Sequence, residues 1–174
     1  MLGLRGEAIV VAYRFKCSKC DEWHEGLPDM GFDRPSIAGE ILDEDAAGRL
    51  FLNSDFCVVD DTHFFIRCIL NVPIKTTGEY FGWGVWSTLS EENFMRYQEH
   101  YTEDMSGWAP MFGYLSNRLP EYPDTLNLKL SVQTRAKGDR PMVTLEPTDH
   151  PLAVDQREGM SLEKALKIAD PFLH

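Results

Sequence analysis

Apolar and polar residues alternate most clearly between positions 51 and 74, in the stretch FLNSDFCVVDDTHFFIRCILNVPI. Two runs of β-branched and aromatic residues flank the polar step Asp60, Asp61 and Thr62, a pattern that predicts a β-hairpin. Arg67 and Asn71 lie on one face of the second run, so we expect its opposite, apolar face to point into the core. That apolar face consists of Phe64, Ile66, Cys68, Leu70, Val72 and Ile74.

The position of Cys57 depends on the length of the hairpin loop. If Asp61 and Thr62 form a two-residue loop, Cys57 lies opposite Ile66 and diagonal to Cys68, on the core face. Asp-Thr is a poor match for the positive φ angles that such a loop requires. A change of one residue in the loop length turns Cys57 to the other face.

Weaker alternation predicts further strands, at residues 9–16, 81–89, 126–133 and 141–146. Gly82 and Gly84 interrupt the second of these strands and permit another chain segment or a ligand to approach the backbone closely. Aromatic residues in this region either fill the core, as aromatic residues usually do, or line a cleft beside the two glycines. They are Trp83, Trp86, Trp108, Phe112 and Tyr114.

Two serines mark predicted helix starts. Ser90 is followed by two acidic residues and by apolar residues at helical spacing, which predicts a helix that continues to about Asp104. Ser161 caps a last short helix that stops at the next proline. Residues 26–48 favour loops with at most a short helix, and residues 107–125 favour an ordered loop packed by its own side chains.

These elements predict one α+β domain covering residues 1–174, with a mainly antiparallel sheet, two or three short helices and an N-terminal Cys-x-x-Cys turn. The chain has 17 basic and 28 acidic residues and a net charge of −11, which disfavours nucleic-acid binding. No apolar run approaches the ~18 residues of a membrane-spanning helix. The N-terminal apolar run, residues 8–13, is shorter than that of a signal peptide, so we expect a cytoplasmic protein.

The stretch FKCSKCDEWHEG contains the strongest candidate for a metal site. Cys17 and Cys20 can reach one Zn²⁺ from a tight turn, and His24 can add a nitrogen ligand. A closed structural zinc site has four ligands, so the last one must come from far along the chain, and Cys57 is the first choice. The other candidates for the fourth ligand are His150, Cys68 and His63.

Two other interpretations of the cysteine pair remain open. Cys17 and Cys20 can be reduced thiols in a hairpin turn without metal. A thioredoxin-like redox pair requires a helix N-terminus that lowers the thiol pKa, whereas Trp23, Gly26 and Pro28 make a poor helix start.

The segment TDHPLAVDQ carries the candidate for catalysis. His150 beside Asp149 or Asp155 can act as a general base in an aromatic-lined cleft. No serine or cysteine accompanies this group in a recognisable signature, and a rigid turn with locally satisfied side chains is the simpler interpretation.

Six segments in order resemble the bacterial domain-of-unknown-function family numbered 2199. They are FKCSKCDEWHEGLP, SDFCVVD, FFIRCILNVPI, WGVWSTLSEENF, GYLSNRLPEYPDTLNLKL and RPMVTLEPTDHPLAVDQREG. The resemblance runs from about Phe15 to Leu173 and implies no activity, substrate or catalytic residue. It places Cys17, Cys20, His24, Cys57 and His150 inside characteristic segments, with Asp21 where a glycine is usual.

We therefore expect a non-enzymatic domain that binds a protein or a small molecule, with Cys17, Cys20, His24 and Cys57 in a structural zinc site. An enzyme that uses His150 is the alternative. A third interpretation is an acidic protein that neutralises a basic partner, as immunity-type proteins do.

Overall fold

A computed structural model describes residues 14–17, 20–27 and 30–172, and confirms the α+β class. Its strands are β1 (Arg14–Lys16), β2 (Trp23–Glu25), β3 (Met30–Gly31), β4 (Leu50–Leu52), β5 (Phe56–Val59), β6 (His63–Pro73), β7 (Tyr80–Leu89), β8 (Met111–Tyr114), β9 (Lys129–Gln133) and β10 (Met142–Leu145). Its helices are α1 (Ser36–Gly39), α2 (Glu91–Glu99), α3 (Pro151–Glu158) and α4 (Leu162–Ala169), with 3-10 turns at Asp43–Asp45 and Asp170–Phe172. The part of the predicted first strand at residues 9–13 lies outside the described residues.

The long antiparallel pair β6 and β7 forms the centre of an eight-stranded sheet. Six of its strands follow the order β3-β7-β6-β10-β9-β8, and β5, with β4 paired to it, branches from β6. Strand β5 pairs with the first half of β6, and β10 joins the second half of β6 in parallel at Ile69. An antiparallel bridge between Ser87 and Leu115, just after β8, brings the far end of the sheet back to β7. The sheet therefore curves until it closes on itself.

The predicted core face of β6 is confirmed, because all six of its apolar residues are buried in one cluster. The helices α2, α3 and α4 cover this face with apolar side chains. From α2, Phe94 packs against Phe64 with ring centroids 5.2 Å apart. Leu152 of α3 and Ile168 of α4 are buried in the same cluster.

The two-residue loop considered for the β5–β6 hairpin is wrong. Val59 pairs with His63, so the loop has three residues, and two of them, Asp60 and Asp61, have φ angles of 50° and 54°. Cys57 consequently pairs with Phe65 and faces away from the main core. It remains fully buried there, in a second cluster that includes Trp86.

Both predicted serine caps are confirmed. The Ser90 hydroxyl accepts a hydrogen bond from the amide of Asn93 at 3.2 Å, and the Ser161 hydroxyl accepts one from Lys164 at 3.1 Å. Helix α2 is shorter than predicted and ends at Glu99, where His100 leaves helical geometry with φ −99° and ψ 11°.

Several elements are absent from the sequence-based prediction, and strand β8 and helix α3 are the longest of them. Strand β8 lies inside the segment that the sequence assigned to a loop. It was missed because four residues after a proline show too little alternation to identify a strand. Helix α3 begins at Pro151, a residue favoured at the first helical position, after the cap residue His150. In the described part of the chain no helix is long and apolar enough to cross a membrane.

Candidate functional site

The N-terminal hairpin brings the candidate metal ligands together. Strands β1 and β2 pair antiparallel with Phe15 opposite His24, and their rings stack with centroids 5.6 Å apart. The amide of Cys17 donates to the carbonyl of Glu22 at 2.9 Å, which extends the pairing to the first cysteine. The hairpin therefore places the two cysteines at its turn and the histidine on its second strand.

Asp21 follows the second cysteine, and its backbone adopts a conformation that suits glycine. Its φ angle is 59°, in the left-handed region that glycine adopts freely and that aspartate tolerates better than most residues. Its amide donates to the carbonyl of Cys17 at 3.2 Å, and its carboxylate pairs with Lys16 at 2.5 Å. The aspartate thus preserves the turn that follows the second cysteine.

Cys17, Cys20 and His24 form a group that could hold a metal ion. Their ligand atoms all lie within 4.8 Å of one another. Cys20 Sγ and His24 Nε2 are 3.1 Å apart. Cys17 is 2% exposed, whereas Cys20 and His24 are half-buried, so the group opens toward solvent on one side.

The electrostatics of Cys20 do not favour a reactive thiolate. The backbone hydrogen bond from Glu22 lowers the pKa of the Cys20 thiol, but desolvation and the neighbouring Cys17 thiol outweigh it, and the net pKa is raised. An activated nucleophile or a redox cysteine has a lowered pKa. The second cysteine is also followed by strand β2 rather than a helix, which is the arrangement that the sequence indicated.

The structure does not bring the candidate fourth ligands to this group. Cys57 is buried among apolar residues, and burial raises its pKa to about 11. Cys68 is fully buried in the main core, where desolvation raises its pKa further. His63 is exposed and its Nδ1 contacts the hydroxyl of Thr62 at 3.0 Å.

His150 acts as a helix cap. Its Nδ1 accepts a hydrogen bond from the amide of Leu152 at 3.1 Å, and its Nε2 contacts the carbonyl of Asp124 at 3.1 Å, which requires a proton on Nε2. Both ring nitrogens are therefore occupied by the backbone. The adjacent Asp149 is exposed, and this arrangement leaves no free nitrogen to act as a base.

Asp155 belongs to a separate polar contact. Its Oδ2 accepts hydrogen bonds from the hydroxyl of Tyr122 at 2.8 Å and from Nζ of Lys164 at 2.5 Å. The ammonium of Lys164 also lies 4.3 Å from the centre of the Tyr122 ring. The carboxylate of Asp155 is thus engaged by both donors. It connects α3 to α4 and to the loop that carries Tyr122.

The aromatic residues divide between core and surface. Trp83 and Trp86 are buried, and the indole nitrogen of Trp86 donates to the carbonyl of Phe32 at 2.9 Å. Phe112 is 55% exposed and Tyr114 is 37% exposed on β8. Phe112 lines a cavity of about 410 Å³ on β8, β9 and β10, whereas Trp83 borders a second cavity beside β7.

That cavity has a volume of about 470 Å³ and lies beside Gly82 and Gly84, where the sequence suggested a cleft. Its charged lining was not predicted, because Arg67 is distant in the chain from Arg135 and Arg140. No sequence motif links these three residues, which meet only when β10 pairs with β6.

The comparisons with known proteins give one match. The family model described as "Uncharacterized protein conserved in bacteria (DUF2199)" matches residues 16–160. No curated protein and no solved structure matches the chain.

Proposed function

This chain belongs to the uncharacterised bacterial family DUF2199, and we propose that it is a non-enzymatic, cytoplasmic binding domain with a structural zinc ion in its N-terminal hairpin. The observation that carries the zinc site is the convergence of Cys17, Cys20 and His24, whose ligand atoms lie within 4.8 Å of one another. Two thiolates and one imidazole are a ligand set that suits Zn²⁺ better than the harder cations.

The spacing of the ligand atoms supports this assignment. With Zn–S of about 2.3 Å and Zn–N of about 2.0 Å, tetrahedral coordination separates neighbouring ligand atoms by roughly 3.5 Å. The separation of 3.1 Å between Cys20 Sγ and His24 Nε2 needs a small adjustment to reach that value. The metal also displaces the protons of both thiols. The raised pKa of Cys20 therefore weakens metal binding at acid pH without preventing it.

The hairpin itself gains from a metal ion. Strands β1 and β2 have three residues each and form a two-stranded sheet that is separate from the large sheet. A two-stranded hairpin of this size is marginally stable in water. Zinc coordination would fix the turn to the second strand through His24, and a water molecule or a group outside the described residues would complete the coordination.

A binding role fits the remaining observations better than catalysis does. His150 is engaged as a cap and Cys20 is not activated, so neither candidate for acid–base or nucleophilic chemistry is supported. The net charge of −11 disfavours nucleic acid as a partner, and we propose a protein or a small molecule instead, without membrane contact.

Metal analysis tests the zinc site. Protein purified without a metal-affinity tag should contain about one equivalent of zinc, and Cys20→Ser should reduce this to less than ~0.2 equivalents. Cys57→Ala is the matched control, because it also removes a thiol but lies in the separate cluster, and it should retain the metal.

Two results would contradict the proposal. One is wild-type protein with less than ~0.2 equivalents of zinc whose thiols react freely with a thiol reagent. The other is an equal loss of zinc in Cys20→Ser and Cys57→Ala, which would show that the metal is not held by the hairpin.

A further inference from the structure

The cavity beside β6 and β7 has a positively charged lining in a strongly acidic protein. Its volume of about 470 Å³ falls in the size range of small-molecule sites. Arg67, Arg135 and Arg140 line it, and among the described residues that border it there is no aspartate or glutamate. A chain with a net charge of −11 thus concentrates three of its cations in one concave surface.

The carboxylates that pair with two of these arginines line a second cavity. Arg135 and Arg140 also line a smaller cavity of about 270 Å³, whose lining contains Asp55 and Asp139. Arg140 Nε donates to Asp55 Oδ1 at 2.8 Å, and Arg135 pairs with Asp139 at 3.4 Å. These contacts hold the two guanidinium groups in place and leave the larger cavity without a negative charge of its own among the described residues.

The pKa of Asp55 agrees with this arrangement. Burial raises it, but hydrogen bonds from Arg140, Ser54 and Tyr101 outweigh the burial, and the pKa is held below its usual value. Asp55 therefore stays charged and keeps Arg140 oriented at neutral pH.

Arg67 is the least satisfied of the three cations. Its one hydrogen bond within the described part of the chain runs from Nη1 to the backbone carbonyl of Ser54, at 3.5 Å, and it forms no salt bridge there. Its Nε is buried and has no hydrogen-bond partner among the described residues. A buried donor without an acceptor is costly and uncommon in native proteins, so it indicates an acceptor that comes from outside.

Two glycines leave the space that Arg67 occupies. A Cβ on Gly31 would lie 3.2 Å from Arg67 Nη2, and a Cβ on Gly84 would lie 3.9 Å from Arg67 Nε. The guanidinium group therefore lies against the backbone of β3 and β7. A planar guanidinium group held in this way presents its donors to an oxyanion in two parallel hydrogen bonds.

We propose that this cavity binds a small organic anion, through a carboxylate or phosphate group that contacts Arg67, Arg135 and Arg140. The apolar part of the ligand lies against Ile69 and the glycine backbone of β7, and Tyr80, which is 62% exposed at the rim, covers it. The proposal deepens the binding role proposed above and is independent of the zinc site.

Nitrogen-15 NMR of the full chain tests this proposal, because each arginine Nε–H gives its own signal. Phenyl phosphate and benzoate are the probes, and benzylammonium, with the same ring and the opposite charge, is the control. At least one anion should shift the Arg67 Nε–H signal saturably. Arg67→Gln, followed through the Arg140 Nε–H signal, should weaken binding by about tenfold or more. The anion that binds more tightly identifies the phosphate or the carboxylate class.

Arg118→Gln is the matched control variant, since it removes the same charge from a residue that is paired with Asp124 away from the cavity. It should change the affinity by less than about twofold. If Arg67→Gln does not fold, Arg135→Gln replaces it, because that side chain is 34% exposed, and it should weaken binding by about threefold or more.

Three results would overturn the proposal: neither anion shifts the Arg67 signal saturably, benzylammonium binds as well as the anions, or Arg118→Gln weakens binding as much as the cavity variants do. Zinc content measured on the same samples separates the two proposals. Full zinc occupancy without anion binding rejects the cavity alone, and anion binding to zinc-free protein rejects the zinc site alone.

Discussion

Replacing Gly113 with alanine tests the contact that closes the sheet. Gly113 lies in β8, next to the bridge between Ser87 and Leu115. A Cβ at this position would overlap the carbonyl oxygen of Thr88 and the hydroxyl of Ser87, and would contact Leu130 at 3.4 Å. The strand can approach β7 this closely because Gly113 has no side chain.

The expected cost follows from which atom must move. The Ser87 hydroxyl can rotate, but the Thr88 carbonyl belongs to the backbone of β7, which pairs with β6 along ten residue pairs and cannot retreat independently. Overpacking in a well-packed region usually costs about 1–3 kcal/mol, and a clash with a fixed backbone atom belongs at the upper end of that range. For a domain of this size, about 3 kcal/mol lowers Tm by roughly 6–12 °C.

Urea unfolding and calorimetry measure this effect. Gly107→Ala is the control, since nothing lies within 4 Å of the added Cβ and the backbone does not have a positive φ angle there. Its stability should stay within about 1 kcal/mol of the wild type or increase slightly. If Gly113→Ala is as stable as Gly107→Ala, β8 does not contact β7 as described and the closure of the sheet is wrong.

Three further predictions concern single side chains. The folded-state pKa of Asp55 is lowered, so its stabilising effect is complete above its unfolded pKa of about 4 and is lost as the pH falls through the lower folded-state value. Asp55→Asn should therefore be less stable than the wild type at neutral pH and approach it at acid pH, and urea midpoints that differ equally at all pH values would contradict this. His150→Ala should cost about 1–2 kcal/mol by removing a helix cap, whereas His150→Asn, which can still cap, should cost less by calorimetry. In metal-free native protein a thiol reagent should label Cys20 before the two described cysteines of the core, because Cys20 is partly exposed, while Cys57 and Cys68 are buried and should react only on unfolding. Peptide mass spectrometry that found Cys68 labelled as fast as Cys20 would show that the core is open.

The parts of the fold that were correctly predicted depend on neighbours in the sequence. The apolar face of β6 follows from alternation within eleven residues, and the caps of α2 and α4 each involve a serine and an amide three residues away. The candidate metal group is local in the same sense, because Cys17, Cys20 and His24 are carried by one short hairpin. Such contacts form wherever the local backbone is regular, so a sequence pattern is enough to find them.

The errors in the sequence-based prediction share a different cause. The face of Cys57 was decided by a single extra residue in a loop, Asp60, which adopts a left-handed conformation that is uncommon outside glycine. Strand β8 and helix α3 carry weak local signals and are fixed by what they contact: β8 by the edge of β7, and α3 by the core face of β6 and by the carbonyl that accepts from His150.

The sequence by itself determined the α+β class, the buried face of the central strand, two helix starts and the half-site of two cysteines and a histidine. Only the tertiary structure decided that Cys57 lies apart from that half-site and that Arg67, Arg135 and Arg140 line one cavity. The physical reason is the range of the interactions. Periodicity and capping act over a few residues, whereas the pairing of β10 with β6 joins segments about seventy residues apart, and nothing in either segment alone specifies that meeting.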